Sequence, residues 1–252
     1  MHKRKLIPIL IVLLILMVFL CSCSVIIFSA SMSTYVLISP QGKLNKYKMK
    51  IQSAENMLSN GDTESAVKEL EKAQSEIPEL EDSVKVDNGT LYVINYDLGR
   101  AYIDLSFKEP TQDAIDHMFK AIELFEDASK ADPRNPDAYS QKGHAYVRIY
   151  DLHQWQGNYL YDAIDAYSKA LEKGYNDEAK ASTNVYIGNV YRKLADYEGL
   201  KSDDPWETRT NRYEQAIIVY DRALELDPYN EYAYSEKETA EKLIEYTKSF
   251  SK

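Results

Sequence analysis

Four segments of the chain repeat one spacing: an alanine, a large apolar or aromatic residue four positions on, and a second alanine three further. They are Ala66-Leu70-Ala73, Ala121-Phe125-Ala128, Ala163-Tyr167-Ala170 and Ala216-Tyr220-Ala223. Steps of four and three place the three residues on one stripe of an α-helix. The small residues let a neighbouring helix approach, and the larger one fills the space between. Three copies close with a proline five residues later, at Pro78, Pro133 and Pro228, and the third copy has Gly174-Tyr175 instead. Both are helix stops, of different kinds. A second pattern precedes three of these helices: Leu98-Gly99-x-x-Tyr102, Lys142-Gly143-x-x-Tyr146 and Ile187-Gly188-x-x-Tyr191. Glycine inside a helix costs ~1 kcal/mol against alanine, so the three glycines predict close crossing by a paired helix. In the first copy Ala54 takes the glycine's place, and Asn60-Gly61-Asp62 makes the turn. Helix pairs in a recurring register argue an all-α solenoid in which each pair buries its apolar face against its neighbours.

These two motifs together resemble the tetratricopeptide repeat, which carries Leu-Gly-x-x-Tyr on its first helix and Ala-x-x-x-Phe-x-x-Ala…Pro on its second. The resemblance covers roughly residues 41–250. It implies antiparallel helix pairs wound into a right-handed superhelix with a concave groove. On this reading residues 43–250 form the repeat domain, with copies at about 43–78, 91–133, 136–175 and 179–228. Residues 230–250 form a solvating capping helix, with Glu238 and Glu241 at the small and aromatic sites. Tyr102, Tyr146, Tyr167, Tyr191 and Tyr220 fall on packing positions, which accounts for part of the chain's 21 tyrosines.

The spacing departs from the family's. Ala54 to Ala66 keeps a separation of 12, but the glycine-to-alanine intervals of the next three copies are longer by about 10, 8 and 16 residues. Loops inserted at the same place in successive repeats stack along one edge of a solenoid. The expected loop edge is 106–113, 150–161 and 195–213, and it holds both tryptophans, Trp155 and Trp206. Aromatics on surface loops serve as contacts for partners or cover their own loop. Around Asn88-Gly89-Thr90 the expectation is a loop with Thr90 near the start of the next helix.

The N-terminus reads as an address. Lys3, Arg4 and Lys5 precede Leu6 to Phe28, a run without a charged residue. As a helix at ~1.5 Å per residue that run reaches across a bilayer core of ~30 Å. An uncleaved single-pass anchor over residues 6–28 is one reading. A second is a lipoprotein, because Leu20-Cys21-Ser22-Cys23 resembles the bacterial lipobox and would make Cys23 the lipidated first residue. Ordinary cleavage is a third. Residues 1–28 are thus the anchor or signal segment and 29–42 a tether. The basic cluster ahead of the run predicts an extracytoplasmic body.

Composition removes several functions. The net charge is −10, and beyond the basic start the balance is more acidic still. Such a body is a poor match for phosphate backbones, so no nucleic-acid partner is expected. Both cysteines, Cys21 and Cys23, lie in the apolar run. The body therefore offers no disulfide, thiol nucleophile or cysteine metal site. His117, His144 and His153 show no zinc spacing, no glycine-rich phosphate loop occurs, and no carboxylate pair is singled out. Neither enzymatic activity nor a cofactor is expected.

In the resembled family, the groove is lined by first-helix residues at fixed offsets from the glycine. Carried over, they include Tyr96 and Arg100 in the second copy, His144 and Arg148 in the third, and Asn189, Arg192 and Lys193 in the fourth. A groove rich in arginine suits an acidic protein or peptide partner held by bidentate contacts. One subgroup clamps a terminal carboxylate with a Lys and an Asn one turn apart. The matching pairs here, Ile51/Glu55, Tyr96/Arg100, Ser140/His144 and Val185/Asn189, lack the lysine. The expected function is a non-enzymatic, membrane-tethered interaction scaffold. The alternatives are a self-assembling envelope lipoprotein, which pairs copies of the chain, and a lipoprotein that binds a small anionic ligand.

Overall fold

In the computed structural model the described residues are 39–108, 110–152, 156–174 and 176–250. They form ten α-helices and no strand: α1 (Pro40–Ser59), α2 (Thr63–Ser75), α3 (Ile77–Glu81), α4 (Asn88–Ser106), α5 (Thr111–Ala131), α6 (Asp137–Leu152), α7 (Asn158–Glu172), α8 (Asp177–Gly199), α9 (Pro205–Leu226) and α10 (Glu231–Phe250). The anchor or signal segment (1–28), most of the tether, Cys23, His153 and Trp155 lie outside the described residues. Among the described residues no helix is long and apolar enough to cross a membrane.

The described residues divide into two compact units, those of 39–50 with 76–86, and those of 51–75 with 87–250. In the first, Leu44, Tyr47, Leu80 and Val86 are buried, and Lys50 Nζ pairs with Glu76 at 2.5 Å. The second unit holds the repeating helices and a continuous series of cores. Met118, Ile122, Ala145 and Ile149 join α5 to α6. Tyr150, Leu160, Tyr167, Ile187, Leu194 and Val219 extend the packing from α6 to α9. Ala181, Val185, Tyr220, Ala233 and Ala240 carry it into α10.

The motif residues form these contacts. Every alanine of the four second-helix motifs is fully buried, as are Leu70, Phe125 and Tyr220, with Tyr167 nearly so. A Cβ added to Gly99 would lie 2.8 Å from the Phe125 ring, and one added to Gly143 would lie 2.5 Å from the Tyr167 ring. Gly188 stands in the same relation to Tyr220. In each copy the glycine thus makes room for the aromatic of its own second helix. Gly61 and Gly174 have another role: with φ of +80° and +94° they hold turns that a side chain would strain. Tyr102 is buried as the repeat register predicts, and Tyr146 and Tyr191 are half-buried.

The long loop edge is corrected. The inserted residues lengthen the helices, and the connections are only 107–110, 153–157 and 200–204. Adding residues to an existing helix avoids a new nucleation cost, and here the extension is also buried. Ala195 on α8, Tyr213 on α9 and Ile244 on α10 form one core, and Gly199 meets the Arg209 side chain. The new starts are marked: Pro110 stands at the N-cap position of α5, and Asp204 with Pro205 opens α9, the Asp204 carboxylate accepting from Glu207 N at 3.0 Å. The Asn88 segment is helical from Asn88 itself. Asp87 caps α4, accepting from both Thr90 N and Thr90 Oγ1 at 2.8 Å. The last helix, α10, buries Ala233, Ala240, Ile244 and Thr247, and leaves Glu238, Glu241, Lys242 and Glu245 exposed.

Candidate partner-binding surface

In the third and fourth copies the residue after the motif glycine bonds the tyrosine of its own second helix. In the third copy that residue is His144, whose Nδ1 lies 2.8 Å from the Tyr167 hydroxyl and whose ring meets Tyr186 edge-on at 4.5 Å. Burial lowers its pKa to about 4, so the ring is neutral near pH 7 and supplies no charge. In the fourth copy it is Asn189. Its Oδ1 accepts from the Tyr220 hydroxyl at 2.6 Å, and its Nδ2 donates to the Tyr232 hydroxyl at 3.2 Å. In the second copy the second-helix aromatic is Phe125, which has no hydroxyl to offer. The residue there, Arg100, is exposed and lies 5.9 Å from the Tyr96 ring centroid. Tyr96 in turn stacks on Tyr92 at 5.4 Å and meets Phe125 at 5.9 Å.

The remaining cations divide into two kinds. Arg192 is committed to Glu236 on α10. Lys193 pairs with Asp151 on α6 at 2.6 Å. Both therefore tie helices together. Arg148 and Arg100 make no ion pair among the described residues. Arg148 sits 4.4 Å from the centroid of Phe107, a ring that is 64% exposed, and its buried Nε has no hydrogen-bond partner. An aromatic face holds a guanidinium in place without neutralising it. Trp206 lies in the first turn of α9, not on a loop, stacked on Phe250 at 4.9 Å with Arg209 at 5.3 Å. It covers the end of α10.

One contact on this surface has no counterpart in the motifs. Asp97 on α4 is 8% exposed and faces Glu55 on α1. Burial first, and then the Glu55 charge, raise its pKa to about 7 against the opposing charge of Arg100, and its buried Oδ2 has no hydrogen-bond partner. A signal for it exists in the chain. Asp97 lies two residues before Gly99, and the equivalent residues Gln141 and Tyr186 also contact the preceding copy, at Tyr96 and His144. A second missed cluster is Arg212, which grips Glu198 through Nε at 2.6 Å and Nη2 at 2.8 Å while Tyr161 bonds the same carboxylate. It joins α7, α8 and α9. Among the described residues no group of three or more His, Cys, Asp or Glu is placed to hold a metal.

The tetratricopeptide repeat family matches residues 208–230, which hold Ala216-Tyr220-Ala223 and Pro228. This segment is similar to a tetratricopeptide repeat. The helical body also has the fold seen in the crystal structure of the MamA protein, with a TM-score of 0.54 and 17% identity over 81% of this chain and 87% of that one. Two further similar structures are described as TPR proteins. One, from Thermus thermophilus, has 16% identity and a TM-score of 0.45 over 77% and 98% of the two chains. The other, YrrB, is described as having an unusual peptide-binding site, with 19% identity and a TM-score of 0.40 over 75% and 90%. No curated protein sequence matches the chain.

Proposed function

We propose that the chain is a non-enzymatic, membrane-tethered scaffold that binds an acidic segment of a partner protein across the first helices of its tetratricopeptide repeats. The observation that carries this reading is the pair Arg100 and Arg148. In a chain with 40 acidic residues against 30 basic ones, these two arginines rest on aromatic rings and make no ion pair among the described residues. A partner carboxylate would complete bidentate contacts that the fold itself leaves open. Arg192 and Lys193 are not part of this surface, because Glu236 and Asp151 already occupy them. Residues 6–28 tether the scaffold, either as an uncleaved span or through a lipid on Cys23, and the basic cluster Lys3 to Lys5 favours an extracytoplasmic body.

Crosslinking and pull-down of the C-terminally tagged chain from intact membranes tests this. A partner that is lost on Arg100→Glu with Arg148→Glu, and kept on Arg192→Gln, is the expected result. Recovery of the partner with both arginines reversed overturns the acidic-segment reading, and recovery of only the chain itself replaces it with self-assembly. Mass measurement of the same sample shows whether the chain starts at Met1 or at a lipidated Cys23. Protease accessibility in sealed vesicles reads the side of the membrane.

A further inference from the structure

The first unit carries a charge pattern opposite to that of the rest of the chain. No acidic residue occurs before Glu55, while Lys43, Lys46, Lys48 and Lys50 all fall on the first three turns of α1. Buried Leu44 and Tyr47 mark the inner side of that helix. Lys50 is drawn inward and neutralised by Glu76 at 2.5 Å. Lys43 and Lys46 stay exposed and make no ion pair among the described residues. Beside them Met49 is 72% exposed, an unbranched apolar side chain projecting among lysines. Lys43 and Lys46 also border an open recess of about 300 Å³, whose lining includes Tyr47, Glu76, Glu79 and Leu80. The Tyr47 hydroxyl is buried there without a hydrogen-bond partner. With Glu76 taken by Lys50, the recess keeps two free cations against one acid, Glu79.

We propose that the exposed lysines of α1, Lys43 and Lys46, together with Met49, dock on the phosphate headgroups of an anionic lipid surface. Two facts select that occupant. The charges complement phosphate, in a chain that is otherwise acidic. The apolar run also ends at Phe28, so α1 begins only about a dozen residues beyond it. A tether of that length keeps the lysines near a bilayer surface, where each contributes about 1 kcal/mol to binding anionic lipid. Met49 enters the headgroup layer as the apolar contact that interfacial helices use. The docking goes beyond tethering itself and rests on it for proximity. It fixes how the start of α1 lies at the membrane.

The test is lysine acetylation of the full chain, read residue by residue by mass spectrometry. The chain is held in phosphatidylcholine nanodiscs with or without about a third phosphatidylglycerol. Acetylation of Lys43 and Lys46 is expected to slow about fivefold in the anionic discs, the equivalent of ~1 kcal/mol each. The slowing should vanish at high salt, and exposed Lys68 should react equally in both discs. Equal rates at Lys43 and Lys46 in the two discs overturn the proposal. Protection by millimolar inorganic phosphate in the neutral discs also overturns it, in favour of a site for free phosphate. A chain that stays in neither disc refutes tethering by residues 6–28. Flotation with phosphatidylglycerol vesicles then reads the lysine face alone. It should be lost in Lys43→Glu with Lys46→Glu, and absence of flotation by the parent chain overturns the proposal.

Discussion

Asp97→Asn should make the protein more stable at pH 8 and remove a pH dependence that the parent chain shows. In the unfolded chain Asp97 releases its proton near 3.8, and in the folded chain only near 7, because it is buried against Glu55. Between those values the folded state holds one proton more than the unfolded state. Stability from this group therefore falls as pH rises through the window, and is constant above it. The shift corresponds to about 4 kcal/mol for the ionised carboxyl at pH 8. Asparagine is nearly the same shape and carries no charge, so it removes the repulsion from Glu55 and the cost of burying an ionised carboxyl. Recovering half of the 4 kcal/mol would raise Tm by about 4–8 °C for a body of this size. The assay is thermal unfolding of both full chains in detergent by circular dichroism, at pH 5 and pH 8. The gap between the variants should be wide at pH 8 and narrow at pH 5. An Asp97→Asn chain that melts below the parent at pH 8 would refute the account of Asp97 as a buried carboxyl destabilised by the charge of Glu55.

Three other outcomes follow from the same geometry. Gly143→Ala should destabilise by about 1–3 kcal/mol in denaturant titration, against the ~1 kcal/mol gain of an open helical site, because the new methyl meets the Tyr167 ring; a gain in stability would mean the helices are not that close. The His144 ring should titrate near 4 by NMR, so the stability it contributes is present above its ordinary 6.5 and lost as pH falls toward 4; a midpoint at 6.5 would place the ring in water. Arg192→Ala should cost about 1–3 kcal/mol by leaving half-buried Glu236 unpaired, while Arg100→Ala stays within about 0.5 kcal/mol of the parent; equal costs would erase the distinction between tying and open arginines.

The helix pairs were legible because their packing is local and periodic. Ala121, Phe125 and Ala128 sit on one stripe whatever surrounds them, and Gly99 three turns into α4 makes sense only with the Phe125 ring above it. The insertions are ambiguous in the sequence, because an excess over the ideal repeat length does not say whether a loop or a longer helix takes it up. A helix of 23 residues and a partner of 22 satisfy the same count as a long loop, and only the burial of Ala195, Tyr213 and Ile244 distinguishes them. Family register names candidate residues but not the partners that neutralise them. Arg192 and Arg148 occupy neighbouring offsets from their glycines, and the difference between them is Glu236, which lies 44 residues away in sequence. The Glu55–Asp97 contact is likewise a meeting of two copies, so it emerges only when equivalent positions of successive copies are compared.

The most direct test of the central claim is a fluorescence-anisotropy titration of the full chain with a labelled oligoglutamate peptide, across a range of salt. The account predicts saturable binding that weakens with salt, disappears in Arg100→Glu with Arg148→Glu, and persists in Arg192→Gln. Binding that survives reversal of both arginines, or that depends on Arg192 alone, would contradict it.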